Sequence, residues 1–188
     1  MKIFPYAILI ITLFTTACAP LIQLTPDNSF EKKVLLPFRI DTILVVDLRP
    51  DTTNTTMKLP LISVRQEEWI VKPSINNVLM GELIEMINQS SNPEGLPVKV
   101  TFSIKDGYYK ISGNARSVGE HTLFDCVIRF DLKASDRYWN SSAQAFYDYV
   151  GVFNATEKHA KDIYRITVRN SVYKALKQGE SVFDNISH

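Results

Sequence analysis

Val98-Lys99-Val100-Thr101-Phe102-Ser103-Ile104-Lys105 alternates apolar and polar residues without an exception over eight positions. That period of two belongs to a strand with one face on a core and one face in water. The same reading extends downstream. Phe124, Cys126, Ile128, Phe130 and Leu132 form one set, and Asp125, Arg129, Asp131 and Lys133 the other, interrupted only by Val127. A third, aromatic-rich strand is expected over about 143–152, with Asp136 and Asn140-Ser141 marking the turn before it. That turn between the last two strands predicts a hairpin or a meander.

Upstream, the period changes to that of a helix. Pro73-Ser74 opens a segment in which Ile75, Val78, Leu79, Leu83, Met86 and Ile87 recur three and four apart, while Asn76, Asn77, Glu82 and Glu85 take the other side. Asn92-Pro93-Glu94-Gly95 supplies the turn that ends it. Earlier still, Ile43-Leu44-Val45-Val46 is a continuous β-branched and leucine run that suits a strand buried on both faces, closed by Asp47-Leu48-Arg49-Pro50. After a polar loop over 51–56, the stretch 61–71 reads as strand in two pieces around Gln66-Glu67-Glu68. At the other end, Asn154-Ala155-Thr156-Glu157 has the spacing of a capping box. The helix it starts carries Ala160, Ile163, Tyr164, Thr167, Val168, Val172, Ala175 and Leu176 on one side, and Gly179 reads as its stop. The expected fold is α+β: a two-layer domain with a mixed or antiparallel sheet of about five strands, covered on one face by two amphipathic helices.

The N-terminus gives an address. Lys2 precedes an apolar run over 3–14 that ends in Thr15-Thr16-Ala17-Cys18. The run is too short for a bilayer core, which needs about 20 residues. A charged start, a short apolar stretch and small residues before a cysteine resemble the signal peptide and lipobox of a bacterial lipoprotein. That resemblance implies cleavage before Cys18 and lipidation of its thiol. Ala19 follows, where aspartate would mark inner-membrane retention, so the implied site is the outer membrane facing the periplasm. The expected organisation is a signal peptide over 1–17, a lipidated Cys18 and tether over 18–39, one periplasmic domain over 40–179 and a tail over 180–188. The full chain has a formal net charge of +1, which becomes zero once Lys2 is removed. A balanced chain gives no electrostatic reason for a nucleic-acid partner. With Cys18 acylated, Cys126 has no disulfide partner, and packing alone must hold the core.

The lipobox, the element order and several local stretches together resemble the YajG-like outer-membrane lipoproteins. The stretches are Val45-Val46-Asp47-Leu48-Arg49, the helix over 74–88, Ser112-Gly113-Asn114-Ala115-Arg116, and Tyr149-Val150-Gly151-Val152-Phe153-Asn154-Ala155. The resemblance covers roughly residues 40–178 and implies a fold and an address; it carries no catalytic motif.

A search for chemistry returns little. His121, His159 and His188 show no His-X3-His spacing, and Glu120-His121 with Asp125 reads as a solvated group rather than a metal pair. Cys126 sits on the apolar side of its strand and reads as a small buried hydrophobe. No Gly-X-Ser-X-Gly elbow or phosphate-cradling glycine loop is present. Glu67-Glu68 beside Trp69 does not converge as an acid/base pair, because neighbours on a strand face opposite ways. No enzyme activity, metal or cofactor is expected. Tyr108, Tyr109, Tyr138, Trp139, Tyr147 and Tyr149 cluster in the three-strand region. Tyr138 and Trp139, at the turn, are the candidates for partner contact. The expected function is that of a non-enzymatic, membrane-anchored accessory or scaffold for a cell-envelope protein complex. The alternative is a carrier of small ligands or lipids.

Overall fold

The structure, a computed structural model, describes residues 28–52, 67–113, 120–135, 137–151 and 157–184. A 3-10 turn (Ser29–Glu31) leads into β1 (Phe38–Asp47), followed by β2 (Glu67–Val71), α1 (Asn77–Gln89), β3 (Leu96–Gly113), β4 (Glu120–Ala134), β5 (Arg137–Gly151) and α2 (Glu157–Asp184). The five strands form one mixed sheet in the order β1-β3-β4-β5, with β2 beside β1 on the same edge of β3. β1 runs parallel to the first half of β3 from Phe38↔Leu96 to Asp47↔Ile104. β2 runs antiparallel to the second half, from Val71↔Tyr109 to Glu67↔Gly113. β3, β4 and β5 form the antiparallel meander. Both helices pack on one face, so the fold is the two-layer α+β domain that the periodicities predict.

The alternation at 98–105 ends in a β-bulge between Ile104 and Asp106. The extra residue, Lys105, reverses the parity of the strand. Val98, Val100, Phe102 and Ile104 are buried before it, and Gly107, Tyr109 and Ile111 after it. The opposing β4 set, Phe124 through Leu132, is buried at every second residue as its alternation requires. Phe102 and Phe130 stack across the strands with centroids 4.6 Å apart, and Trp139 meets Phe130 edge-on at 5.3 Å. Leu83 and Ile87 of α1, with Val168, Val172 and Ala175 of α2, close the core from above.

Five features depart from the sequence reading. β5 begins at Arg137 rather than about 143, so Asn140-Ser141 lie in the ladder opposite Asp131 and Phe130 and not in the turn. β1 is not buried on both faces: Leu44 is 52% exposed, because the uncovered side of the sheet carries every second residue. α1 starts later than Pro73-Ser74, since Asn76 is its N-cap and its side chain accepts from the Leu79 N–H at 2.9 Å. α2 does not stop at Gly179 but runs on to Asp184. A Cβ at Gly179 would lie 2.9 Å from Phe130 Cε1, so this glycine serves close helix–sheet packing rather than termination. Packing also begins before residue 40, with Val34, Leu36 and Phe38 all buried. The capping box at 154–157, the strand piece before Glu67 and Cys18 fall wholly or partly outside the described residues.

Candidate functional site

Three places gather polar or exposed side chains. The first lies where β1 ends. Asp47 and Arg49 are two residues apart on a strand that has just left its ladder, so both side chains turn toward the bulge in β3. The Arg49 side chain is only 2% exposed. Its Nε and Nη2 donate to the two Asp47 carboxylate oxygens at 2.8 and 2.6 Å. Nη2 also donates to the Pro73 carbonyl at 2.7 Å, and Nη1 to the Gly107 carbonyl at 2.6 Å and Tyr164 Oη at 2.9 Å. A guanidinium has five N–H donors, and all five are used. Gly107 makes room for this, since a Cβ there would lie 2.6 Å from Tyr164 Oη.

Burial is the largest single influence on Arg49 and works against its charge, but the Asp47 hydrogen bond and the surrounding electrostatic attractions together outweigh it, and the guanidinium's pKa is raised. Burial likewise pushes Asp47 upward, and Arg49's hydrogen bond and charge pull it further the other way, leaving its carboxyl below the ordinary value. Burial drives the Tyr164 phenol up. With all five donors engaged within the fold, the guanidinium has none left to offer a substrate anion. The cluster is a pin joining β1, the β3 bulge, the α1 approach and α2. Cys126, beneath it, is fully buried, and burial pushes its thiol up to about 12.

The second place is the uncovered face of the sheet. Arg129 Nε donates to Asp131 at 2.9 Å and its Nη2 to Tyr138 Oη at 2.8 Å, while Tyr138 Oη donates to Asp131. Gln144 donates to both Asp125 oxygens at 2.9 Å. His121 Nε2 lies 2.5 Å from Asp148 Oδ1. Large apolar side chains stand among these charges: Leu44 and Ile70 at 52% exposure, Tyr138 at 57% and Phe146 at 65%. The register sets Phe146 beside Asp125, which pairs on its other side with Tyr108.

The structure separates the two residues named from the sequence. Tyr138 lies on this open face, whereas Trp139, its neighbour on β5, turns inward against Phe130. Tyr109 is buried, and Tyr147 and Tyr149 pack against the core. Phe146 is the residue that the sequence search passed over. Its signal was there: alternation through Ala143, Ala145 and Tyr147 puts Phe146 in the polar set with Gln144 and Asp148. Among the described residues no group of three or more His, Cys, Asp or Glu side chains converges as metal ligands, and no helix is long and apolar enough to cross a membrane.

The third place is the groove between the helices. Glu82 on α1 accepts from Arg165 Nε at 2.7 Å and lies 3.9 Å from Arg169 Nη1. A cleft of about 390 Å³ opens on one side of this bridge, with Val78, Leu79, Lys161 and Arg165 among its walls.

No protein-family model matches this chain, and no curated protein matches its sequence.

Proposed function

We propose that this protein is a non-enzymatic lipoprotein of the YajG-like kind, anchored through Cys18 to the outer membrane and facing the periplasm, whose open sheet face docks a partner protein of the cell envelope. The observation that supports this reading most is the composition of that face. Tyr138 and Phe146 stand exposed among Arg129, Asp131 and Asp125. Aromatic rings interspersed with hydrogen-bonding charges suit a protein interface better than a bilayer surface. The Arg49 cluster, the one deeply buried charge among the described residues, is closed on itself and takes a structural role.

The carrier alternative requires an apolar pocket between sheet and helices. Among the described residues that layer is filled by Leu83, Phe102, Tyr109 and Phe130, all fully buried.

The test is recovery of crosslinked complexes from native membranes with the wild type, with Tyr138→Ala and with Phe146→Asp. Both positions are exposed, so each variant is expected to keep the wild-type melting temperature while losing a recurring envelope partner. Undiminished recovery with both variants would contradict the proposal.

A further inference from the structure

Charge on the open face of the sheet is unevenly satisfied. Its carboxylates are engaged within the fold: Asp131 by Arg129 and Tyr138, Asp125 by Gln144, and Asp148 by His121. Arg129 is committed in the same way, to Asp131 and Tyr138. Lys99 and Lys133 are not. The register sets Lys99 of β3 directly opposite Lys133 of β4, and both are exposed. Among the described residues neither makes an ion pair or a side-chain hydrogen bond. Directly opposite side chains on one sheet face have Cβ atoms about 5 Å apart, and like charges so placed destabilise the sheet.

The two ammonium groups belong to a row that crosses the face. Thr42 of β1 lies beside Lys99, and Tyr138 of β5 lies beside Lys133. Apolar surface flanks the row, with Leu44 at 52% exposure two residues along β1 and Tyr138 at 57%. The chain as a whole carries 21 basic and 20 acidic residues, so this local excess of positive charge is not a reflection of composition. A repulsive pair left open on a face with apolar flanks is complementary to an anionic group of similar width. A bilayer surface is too broad for that description, since it would press its negative charge on Asp125, Asp131 and Asp148 as well. A protein segment is narrow enough to set carboxylates on the lysine row alone and apolar side chains against Tyr138 and Leu44.

We propose, on the reading that the open face docks an envelope protein, that the docked partner presents an acidic segment whose closely spaced Asp or Glu side chains pair with Lys99 and Lys133. Binding then converts a repulsive contact of the free protein into ion pairs, and a partner without those acids leaves the repulsion in place. The lysine row therefore selects the partner, while the aromatic and apolar side chains supply its contact area.

Photo-crosslinking in the native host tests this at two positions, Phe146 as the reporter of docking and the exposed Thr42 as the reporter of what lies on the lysine row. Each is combined with Lys99→Glu/Lys133→Glu and with Lys99→Arg/Lys133→Arg, and linked species are identified by mass spectrometry. Thr42 is expected to link the same protein as Phe146, through a peptide carrying neighbouring acidic residues. The glutamate pair is expected to lower both products at least about ten-fold, because like charges then meet across the interface, and the arginine pair to retain them. A product at Phe146 that survives the glutamate pair undiminished would overturn the acidic segment and leave the docking face standing. So would a linked peptide without acidic residues, or phospholipid linked at Thr42, which would assign the row to lipid headgroups. No recurring product at Phe146 in the wild type would overturn both readings. Lys99→Gln/Lys133→Gln serves as the folding check. It removes a repulsive pair, so it is expected to melt no lower than the wild type while losing the partner; a lower melting temperature would assign the lysines to the fold and overturn the proposal.

Discussion

Arg49 shows how one side chain can fix the junction of four elements. Its five donors reach Asp47, Pro73, Gly107 and Tyr164, and no substitute reproduces that set. Removing one partner of a buried ion pair leaves the other uncompensated, at a cost of about 3–5 kcal/mol. Arg49→Met is therefore expected to lower the unfolding free energy from urea titration by roughly that much, somewhat less because Asp47 is 22% exposed. Arg49→Lys should rescue only part, since an ammonium has three donors and no planar fork. Asp47 sets the pH response. Its folded pKa is depressed, so its contribution is present above the unfolded value of about 3.9 and is lost as pH falls through the folded value. Unfolding titrations should show stability falling below about pH 4 in the wild type, with a flatter profile in Asp47→Asn. Cys126, with a thiol pushed up to about 12 by burial, should resist maleimide in the native state and react only on unfolding. Rapid labelling of the folded protein at Cys126 would contradict its placement.

At the scale of elements, the strands were the most legible part of the chain, because period two is a direct record of a one-sided core. The apolar sets at 98–104 and 124–132 are all buried, with Ser103 buried beside them, until the bulge at Lys105, which no pattern of residue types announces. The run Ile43-Leu44-Val45-Val46 misleads for a different reason. Hydrophobicity reports the tolerance of a face for burial, not whether another layer covers it. Gly179 carries the same letter as a helix stop, but its neighbours in space are Phe130 and Leu36. Phe130 is held between Phe102 and Trp139 and has little freedom to yield. Gly179→Ala should thus destabilise by about 1–2 kcal/mol, overpacking outweighing the gain of about 1 kcal/mol in helix propensity. A more stable Gly179→Ala protein would show that the contact relaxes. Ser135, in the β4–β5 turn, has a φ of 47°. Replacing it with glycine should raise stability by about 1 kcal/mol by relieving the left-handed backbone. On the far side of β5, Lys174 donates to the Gln144 carbonyl at 3.1 Å and Gln178 to the Ser142 carbonyl at 3.4 Å. These bonds cover part of an edge that would otherwise be open to pairing with another chain.

For the whole molecule, the two-layer architecture follows from helices with one apolar stripe each meeting strands with one apolar face each. The limits of the packed unit were less legible. Val34, Leu36 and Phe38 sit in a stretch that reads as tether because apolar residues at every second position are too few there to establish a period, yet all three are buried. The candidate site was half legible. Tyr138 stood out by residue type and lies on the open face. Trp139 stood out equally, and its position in the pleat turns it inward. Phe146 was hidden by the richer aromatic set around it. What decides between core and contact surface is the face each ring takes, and the face is set by register.

The most direct test of the central claim places a photo-crosslinking amino acid at Phe146 in the native host, with Lys177 on the helix layer as the comparison position and Cys18→Ala as the anchor control. The account predicts one recurring envelope protein linked at position 146, absent at 177 and lost with the anchor. The same products at both positions would contradict the claim that the open sheet face is the docking surface.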